Sequence, residues 1–288
     1  MVENWNRTIT RRQALAVATL LGAGANRHAF AAAPNIKIGV PDWTLKQSAK
    51  IESFAVAQKI GFEGVEVSVN EAPGNSGRLE PFSEETCQRY LAESKKRGVA
   101  IACTRINGFS KNLEPGTAVK FLAEGCRVTG RLGVKAMLAP CFHIATDNEI
   151  DRMGRILREA APAAEEAGAI IALENSNTAS ENARMMDQAG SRAVQVFYDV
   201  GNATSFGYNI IDEMLWLGKE KICMFHLKDR PRPARRLGEG TVDFVKVFQT
   251  MAKMGYEGWA DVEMGVTDAL VQELGQDLAF VRNTLARM

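Results

Sequence analysis

Short apolar runs alternate with amphipathic segments along most of the chain, and a glycine often separates the two. Six times an amphipathic segment is followed by a glycine and then by an apolar run. Glycine ends helices readily because it adopts the left-handed backbone conformation without steric cost. The pattern predicts eight strands that begin near residues 36, 64, 99, 134, 169, 194, 221 and 258. Helices are predicted over about 46–60, 83–97, 114–132, 147–167, 179–189, 207–218, 241–254 and 267–287.

Eight apolar strands separated by helices indicate a parallel α/β fold. Parallel strands are buried on both faces, and the crossover connections between them are right-handed. Eight such units close most economically as a (β/α)8 TIM barrel, here a single domain over residues 35–288. An open doubly wound sheet is the alternative fold. The barrel is favoured because no glycine-rich phosphate loop follows the first predicted strand.

The last four predicted strands each end in a residue that can bind a metal ion. These residues are Glu174, Asp199, His226 and Glu263. Neighbouring strands lie about 4.8 Å apart, so four successive carboxyl ends can converge on one ion. One such residue alone is best explained as an isolated polar group at a strand end, but four in succession predict a metal site. The set suits one divalent ion, manganese first, with magnesium, cobalt, iron or zinc as alternatives.

The first 31 residues differ from the rest of the chain. Arg11 and Arg12 form a twin-arginine pair, a weakly apolar run of small residues spans 14–25, and Ala29-Phe30-Ala31 is a typical cleavage site. This order predicts a twin-arginine signal peptide over residues 1–31 and export to the periplasm or the exterior. An N-terminal amphipathic helix is the alternative interpretation.

The charge and the cysteine content of the chain limit the kinds of partner and of cross-link that we expect. The chain has 288 residues and a net charge of +1, of which the leader contributes +3, so that the remainder carries −2. This charge predicts neither a nucleic-acid nor a membrane-surface partner. The five cysteines are odd in number and lack CxxC spacing. We therefore expect them to be buried as small apolar residues.

Five short motifs stand in the second half of the chain. They are Leu173-Glu174-Asn175, Tyr198-Asp199-Val200-Gly201-Asn202, Phe225-His226-Leu227-Lys228-Asp229, Gly238-Glu239-Gly240-Thr241-Val242-Asp243-Phe244 and Gly255-Tyr256-Glu257-Gly258. Through these motifs the chain resembles the xylose isomerase-like TIM-barrel superfamily, in its sugar isomerase and epimerase branch. The resemblance extends from about residue 35 to the end. It implies that Glu174 and Glu263 are both metal ligands and the acid/base pair, and that Asp199 and His226 complete the metal shell.

Other residues are predicted to contact a sugar, each with a structural alternative. Trp43 would stack on the sugar or pack at the barrel mouth, and Glu66 would reach the substrate or form an ion pair. Arg105 follows the third strand, and Lys228 would bind substrate or cap its strand. The resemblance implies substrate contacts for Arg232 and for Asn202, which stands where many members have histidine. His143 and Arg232 would otherwise be ordinary loop residues.

The predicted activity is that of a metal-dependent isomerase or epimerase of an unphosphorylated small sugar. A bound metal would acidify the C–H next to a carbonyl, and two carboxylates would remove and return the proton through an enediolate. A lyase acting on a 3-keto-glycoside or inosose is the alternative, because it would use the same site. An apurinic endonuclease would need a histidine-rich zinc site, which two histidines outside the leader do not supply. The intact set of Glu, Asp, His and Glu at the strand ends argues against a non-catalytic sugar-binding protein. Assembly into a homo-oligomer is left open.

Overall fold

A computed structural model describes residues 33–74, 77–80, 82–142, 144–230 and 236–288. Eight parallel strands close into a barrel in chain order, and the last strand pairs with the first. The predicted TIM barrel is therefore confirmed. The strands are β1 (Ile36–Pro41), β2 (Gly64–Val69), β3 (Ala100–Ile106), β4 (Ala136–Pro140), β5 (Ile170–Glu174), β6 (Val194–Asp199), β7 (Ile222–Leu227) and β8 (Gly258–Val262).

Helices pack around the barrel between the strands. They are α1 (Ser53–Ile60), α2 (Glu84–Arg97), α3 (Pro115–Arg131), α4 (Asp147–Ala167), α5 (Ala179–Ala189), α6 (Val200–Ser205), α7 (Ile210–Leu217), α8 (Phe244–Met254) and α9 (Leu270–Ala286). A short 3₁₀ turn, Phe109–Lys111, follows β3. The leader predicted over residues 1–31 lies outside the described residues.

Two predicted helices differ from the observed ones. The helix expected over 46–60 begins only at Ser53, because Lys46 and Ala49 have positive φ angles of 56° and 54° that a helix excludes. The helix expected over 207–218 is preceded by the short helix α6, which starts directly after Asp199. The Asp199 carboxylate caps α6 by accepting the N–H of Asn202 at 2.8 Å.

Glycine and capping residues define the two ends of α4, the helix that precedes the strand carrying Glu174. Gly168 has a φ of 64° and donates its N–H to the carbonyls that end α4, as the repeated motif predicts. β5 begins two residues later. At the other end of α4, Thr146 and Glu149 form a capping box. Both ends of this connection are therefore defined by local sequence.

Side chains alternate between the barrel interior and the layer beneath the helices. On β7, Phe225 and Leu227 pack in the large core between strands and helices, whereas Met224 lies in a small cluster inside the barrel. The period of two along a strand places His226 on the same inner side as Met224. Four cysteines are buried and Cys223 is half-buried, and none of the five forms a disulfide, as expected. Among the described helices, none is long and apolar enough to span a membrane.

Candidate active site

Four side chains meet at the carboxyl-end mouth of the barrel. They come from the ends of β5, β6, β7 and β8, and their ligand atoms all lie within 4.8 Å of one another. The strand register brings Asp199 opposite His226, and the Glu263 N–H donates to the Leu227 carbonyl at 3.0 Å. This group could hold a metal ion. Its members are Glu174, Asp199, His226 and Glu263, the four residues predicted from the strand ends.

The two ring nitrogens of His226 contact different carboxyl groups. Its Nδ1 lies 3.4 Å from Glu174 Oε1 and 3.3 Å from Glu263 Oε2, inside the four-residue group. Its Nε2 lies 3.0 Å from Glu66 Oε2, on the side away from that group. The ring is fully buried and packs against Phe197 with a centroid distance of 4.4 Å. The nitrogen available to an ion in the group is therefore Nδ1.

Lys228 is the cation that neutralises part of this group. Its Nζ lies 3.1 Å from Asp199 Oδ2 and 2.5 Å from Glu263 Oε2. Burial alone would lower the pKa of Lys228, but Asp199 and Glu263 raise it above its ordinary value. The ammonium therefore stays charged. The sequence left the role of Lys228 open, and the structure places it among the metal-ligand candidates.

The carboxyl groups are not equivalent. Burial raises the pKa of Asp199 to about 6, although Lys228 opposes the shift. Burial would also raise the pKa of Glu263, but His226 and Lys228 lower it below its ordinary value. Glu263 is thus held as a carboxylate near neutral pH. It also accepts a hydrogen bond from Trp43 Nε1 at 3.3 Å.

An open cavity of about 410 Å³ lies over the group. Trp43, Arg105 and Asn202, three of the predicted substrate contacts, line it. Its full lining is Trp43, Arg105, Phe142, Glu174, Asn202, Ser205, Phe206, Lys228, Arg230 and Glu263. A larger cavity of about 680 Å³ opens at the opposite mouth, beside Lys37 and Trp259. Cavity volume therefore does not identify the candidate site. Its position at the carboxyl ends of the strands does, because TIM barrels carry their active sites there.

The lining side chains contact one another around the mouth. The Arg105 guanidinium stacks on Trp43 at 4.3 Å from the ring centroid. Asn202 Nδ2 donates to Glu174 Oε1 at 3.3 Å, and Arg230 Nη2 donates to Asn202 Oδ1 at 3.1 Å. Asn202 therefore links a metal-ligand candidate to a cation. Arg230 was not predicted as a substrate contact, and its position two residues after Lys228 was the available signal.

Glu66, another predicted substrate contact, does not line this cavity. Glu66 is fully buried beneath His226, so the structure supports the ion-pair role among the two that the sequence left open. His143 and Arg232 lie outside the described residues.

A family model described as a xylose isomerase-like TIM barrel matches residues 54–284. The chain belongs to this family. The resemblance inferred from the strand-end motifs is confirmed.

The relatives of this xylose isomerase-like barrel are sugar epimerases. An L-ribulose-5-phosphate 3-epimerase of Escherichia coli is 24% identical over 233 residues, covering 74% of this chain and 81% of the relative. A 2-epi-5-epi-valiolone 7-phosphate 2-epimerase of Actinoplanes is 24% identical, covering 71% and 77%. The solved structure of a 3-keto-D-glucoside 4-epimerase from E. coli matches with a TM-score of 0.71 at 18% identity, covering 86% and 99%. At 18% identity, the similarity to this solved structure shows that the two proteins share a fold.

A second buried cluster lies inside this xylose isomerase-like barrel, below His226. It consists of Glu66, Cys103 and Asp261, whose ligand atoms also lie within 4.8 Å of one another. Burial raises the pKa of Asp261 well above its ordinary value, and Glu66 raises it further. Asp261 was missed from the sequence. The period of two was the available signal, because Asp261 stands two residues before Glu263 on an inward-facing row.

Proposed function

We propose that this protein is a divalent-metal-dependent sugar isomerase or epimerase that removes and returns a proton next to a carbonyl group. The observation that supports the proposal most directly is the convergence of Glu174, Asp199, His226 and Glu263 at the carboxyl-end mouth. Catalytic residues of TIM barrels occupy this mouth. The family and the epimerase relatives support the same class of reaction.

The residues fit a divalent ion. Three carboxylates and one imidazole nitrogen form a donor set of the kind that manganese, magnesium and zinc accept. Asp199 Oδ2 and Glu263 Oε2 are buried and, among the described residues, have no hydrogen-bond partner beyond their ion pairs, with Lys228 for both and with His226 for Glu263. A bound ion would accept these oxygens as ligands. When bound, it would polarise the hydroxyl and carbonyl oxygens of an α-hydroxyketone and stabilise the enediolate charge.

Glu174 and Glu263 are suited to carry the proton. They come from β5 and from the residue after β8, and both line the cavity where a sugar would lie. One removes the proton as a carboxylate, and the other returns a proton as a carboxylic acid. Trp43 and Asn202 each hold one of the two by a hydrogen bond, so that both carboxyl groups have a fixed orientation.

The substrate we propose is an unphosphorylated sugar. The predicted twin-arginine leader supports this, because phosphorylated sugars are mainly intracellular. The two curated relatives carry phosphate in their substrate names, whereas the solved epimerase acts on a 3-keto-glucoside. These epimerases favour epimerisation over the lyase reaction that the sequence left as an alternative. Arg105 and Arg230 at the mouth would bind substrate oxygens of either class.

The test is conversion of a panel of sugars followed by NMR. The protein is stripped with a chelator, reloaded with Mn²⁺, and incubated with free ketoses, 3-keto-glycosides and ketose phosphates. We expect epimer or isomer formation from an unphosphorylated member, loss of activity after stripping, and recovery with metal. As the matched control, Glu220→Gln changes an exposed carboxylate at the other mouth and should retain activity, whereas Glu174→Gln should not. Equal conversion with and without metal would contradict the proposal, and conversion of phosphates alone would overturn its substrate class.

A further inference from the structure

We propose that Glu66 is a positioning residue that selects Nδ1 of His226 as the metal-binding nitrogen. This inference rests on the metal site of the proposed function. Glu66 Oε2 lies 3.0 Å from His226 Nε2, and both side chains are fully buried. An ionised Glu66 only accepts hydrogen bonds, so this contact holds a proton on Nε2 of His226. A metal-binding imidazole has one N–H, and the lone pair then lies on Nδ1.

Nδ1 of His226 faces the other candidate metal ligands. Nδ1 lies 3.4 Å from Glu174 Oε1 and 3.3 Å from Glu263 Oε2, the two carboxylates proposed as ligands and proton carriers. Carboxylates that accept the second N–H of a metal-bound histidine fix its ring orientation and increase its basicity. Glu66 is therefore placed to act on the ion through His226, without touching the ion or the sugar.

The backbone and the neighbouring rings hold this pair in place. The Asp42 N–H donates to the Glu66 carbonyl at 3.0 Å, which ties β1 to β2 at this position. The pairing of β2 with β3 shifts register between Val65 and Glu66, and such irregularities re-aim side chains near active sites. Phe197 and Trp43 border the His226 ring, with centroid distances of 4.4 and 6.2 Å. These contacts restrict the ring to the observed orientation.

Glu66 could instead serve a second ion. Glu66 Oε1 and both oxygens of Asp261 are buried and, within the described part of the chain, have no hydrogen-bond partner. With Cys103 they would offer three ligands to such an ion. We favour the positioning role because the Glu66–His226 contact already occupies Oε2 and explains the orientation of the imidazole. The number of ions per chain separates the two hypotheses.

The test determines which ring nitrogen of His226 carries a proton in the zinc-loaded protein. With ¹⁵N-labelled histidine, long-range ¹H–¹⁵N spectra identify which ring nitrogen keeps its proton. We expect His226 to retain the Nε2 proton and to bind Zn²⁺ through Nδ1, with one zinc per chain by elemental analysis. A proton on Nδ1, with zinc on Nε2, would overturn the proposal, and so would two zinc ions per chain.

Metal affinity provides the second readout. Glu66→Met removes the acceptor at similar volume and should weaken Zn²⁺ binding by about 10–100-fold, the loss typical of such partners. Glu66→Gln keeps one acceptor oxygen and should recover part of the affinity. The control is Asp277→Asn in α9, since Asp277 is an equally buried carboxyl group that is ion-paired with Arg236 and belongs to neither cluster of candidate metal ligands. It should bind zinc as the wild type does.

The outcomes separate this inference from the proposed function. If Glu66→Met fails to fold, as circular dichroism would show, the wild-type spectrum and the Glu66→Gln affinity still decide. Zinc affinities within twofold of the wild type in a folded Glu66→Met protein would overturn the positioning role. A wild type that binds zinc as expected but converts no sugar would contradict the proposed function while leaving the role of Glu66 supported.

Discussion

At the scale of single residues, Glu174 and Glu263 occupy different surroundings although they share one site. Glu263 has its pKa lowered by His226 and Lys228 against the effect of burial, which keeps it ionised and ready to accept a proton. Glu174 accepts a hydrogen bond from Asn202, which itself accepts one from Arg230. We therefore expect the two carboxyl groups to act on opposite steps of the reaction.

Replacing either glutamate by glutamine tests this division. Glu174→Gln and Glu263→Gln keep the side-chain size and one oxygen, but remove a proton carrier and a negative charge. With saturating metal, turnover should fall by about 10²–10⁴-fold, the usual contribution of a general acid or base. The measurement is the initial rate by NMR at several metal concentrations. Full recovery of the rate with added metal would show that the residue is a ligand only.

Residue-level prediction succeeded where a polar residue interrupts an apolar pattern. Glu174, Asp199, His226 and Glu263 each follow an apolar strand, so their place was evident from the sequence. Glu66 and Asp261 lie within strands, where the period of two indicates which side chains face inward but not which buried partner each one contacts. The contact between Glu66 and His226 joins residues 160 positions apart, and only the closed barrel brings them together.

At the scale of elements, the helix that follows β6 holds the site together. Gly201 is the second residue of α6, and a Cβ atom there would lie 2.5 Å from the Lys228 carbonyl oxygen. Only glycine lets α6 approach the end of β7 this closely. The approach positions Asp199, which caps α6, beside Lys228.

Gly201→Ala should therefore disturb both stability and the metal site. Overpacking against a backbone atom costs about 1–3 kcal/mol, and we expect a weaker metal affinity because Asp199 and Lys228 must move. The matched control is Gly275→Ala in α9, where no atom lies within 4 Å of the added Cβ. That change should be neutral or stabilise by up to about 1 kcal/mol. Equal effects of the two changes on urea unfolding and metal titration would count against this account of α6.

The loop after β1 was mispredicted as helix because one buried carboxyl group organises it. Asp42 accepts hydrogen bonds from the Ala49 N–H at 2.9 Å and from the Ser68 N–H at 2.8 Å, and Ser68 Oγ donates to it at 2.6 Å. These long-range bonds, which periodicity does not encode, hold residues 42–49 outside helical geometry. The strands, by contrast, begin within two residues of their predicted positions, since burial on both faces produces a strong apolar signal.

Asp42 also predicts a pH dependence of stability. Burial raises its pKa in the folded protein from 3.8 to about 6. Between these two pKa values, Asp42 is protonated in the folded state but ionised in the unfolded state. The free energy of unfolding therefore falls as pH rises from about 4 to about 6. Between about pH 4.5 and about pH 7, Asp42 should lower the free energy of unfolding by about 2 kcal/mol. Urea unfolding of wild type and Asp42→Asn should show this difference, and parallel pH curves would refute it.

At the scale of the whole molecule, the leader predicted over residues 1–31 would direct the protein out of the cytoplasm. Its residues lie outside the described part of the chain, so export stays a prediction from sequence. Changing Arg11 and Arg12 together to lysine should retain most of the protein in the cytoplasm, because the twin-arginine pair is the signal that is read. Changing Arg7 and Arg27 to lysine is the control and should leave export intact. Cell fractionation and immunoblotting compare the two, and equal export of both would exclude this route.

The barrel as a whole brings the candidate metal ligands, among them the two proposed proton carriers Glu174 and Glu263, to a single mouth, where we propose that they act by proton transfer. The most direct test is conversion of the substrate in deuterium oxide, followed by NMR of the product. Proton removal and return predicts one deuterium at the carbon next to the carbonyl, at most one per turnover, and none in unreacted controls without metal. Product formed at full rate with no deuterium at that carbon would contradict the account, because a hydride shift between adjacent carbons would then carry the reaction.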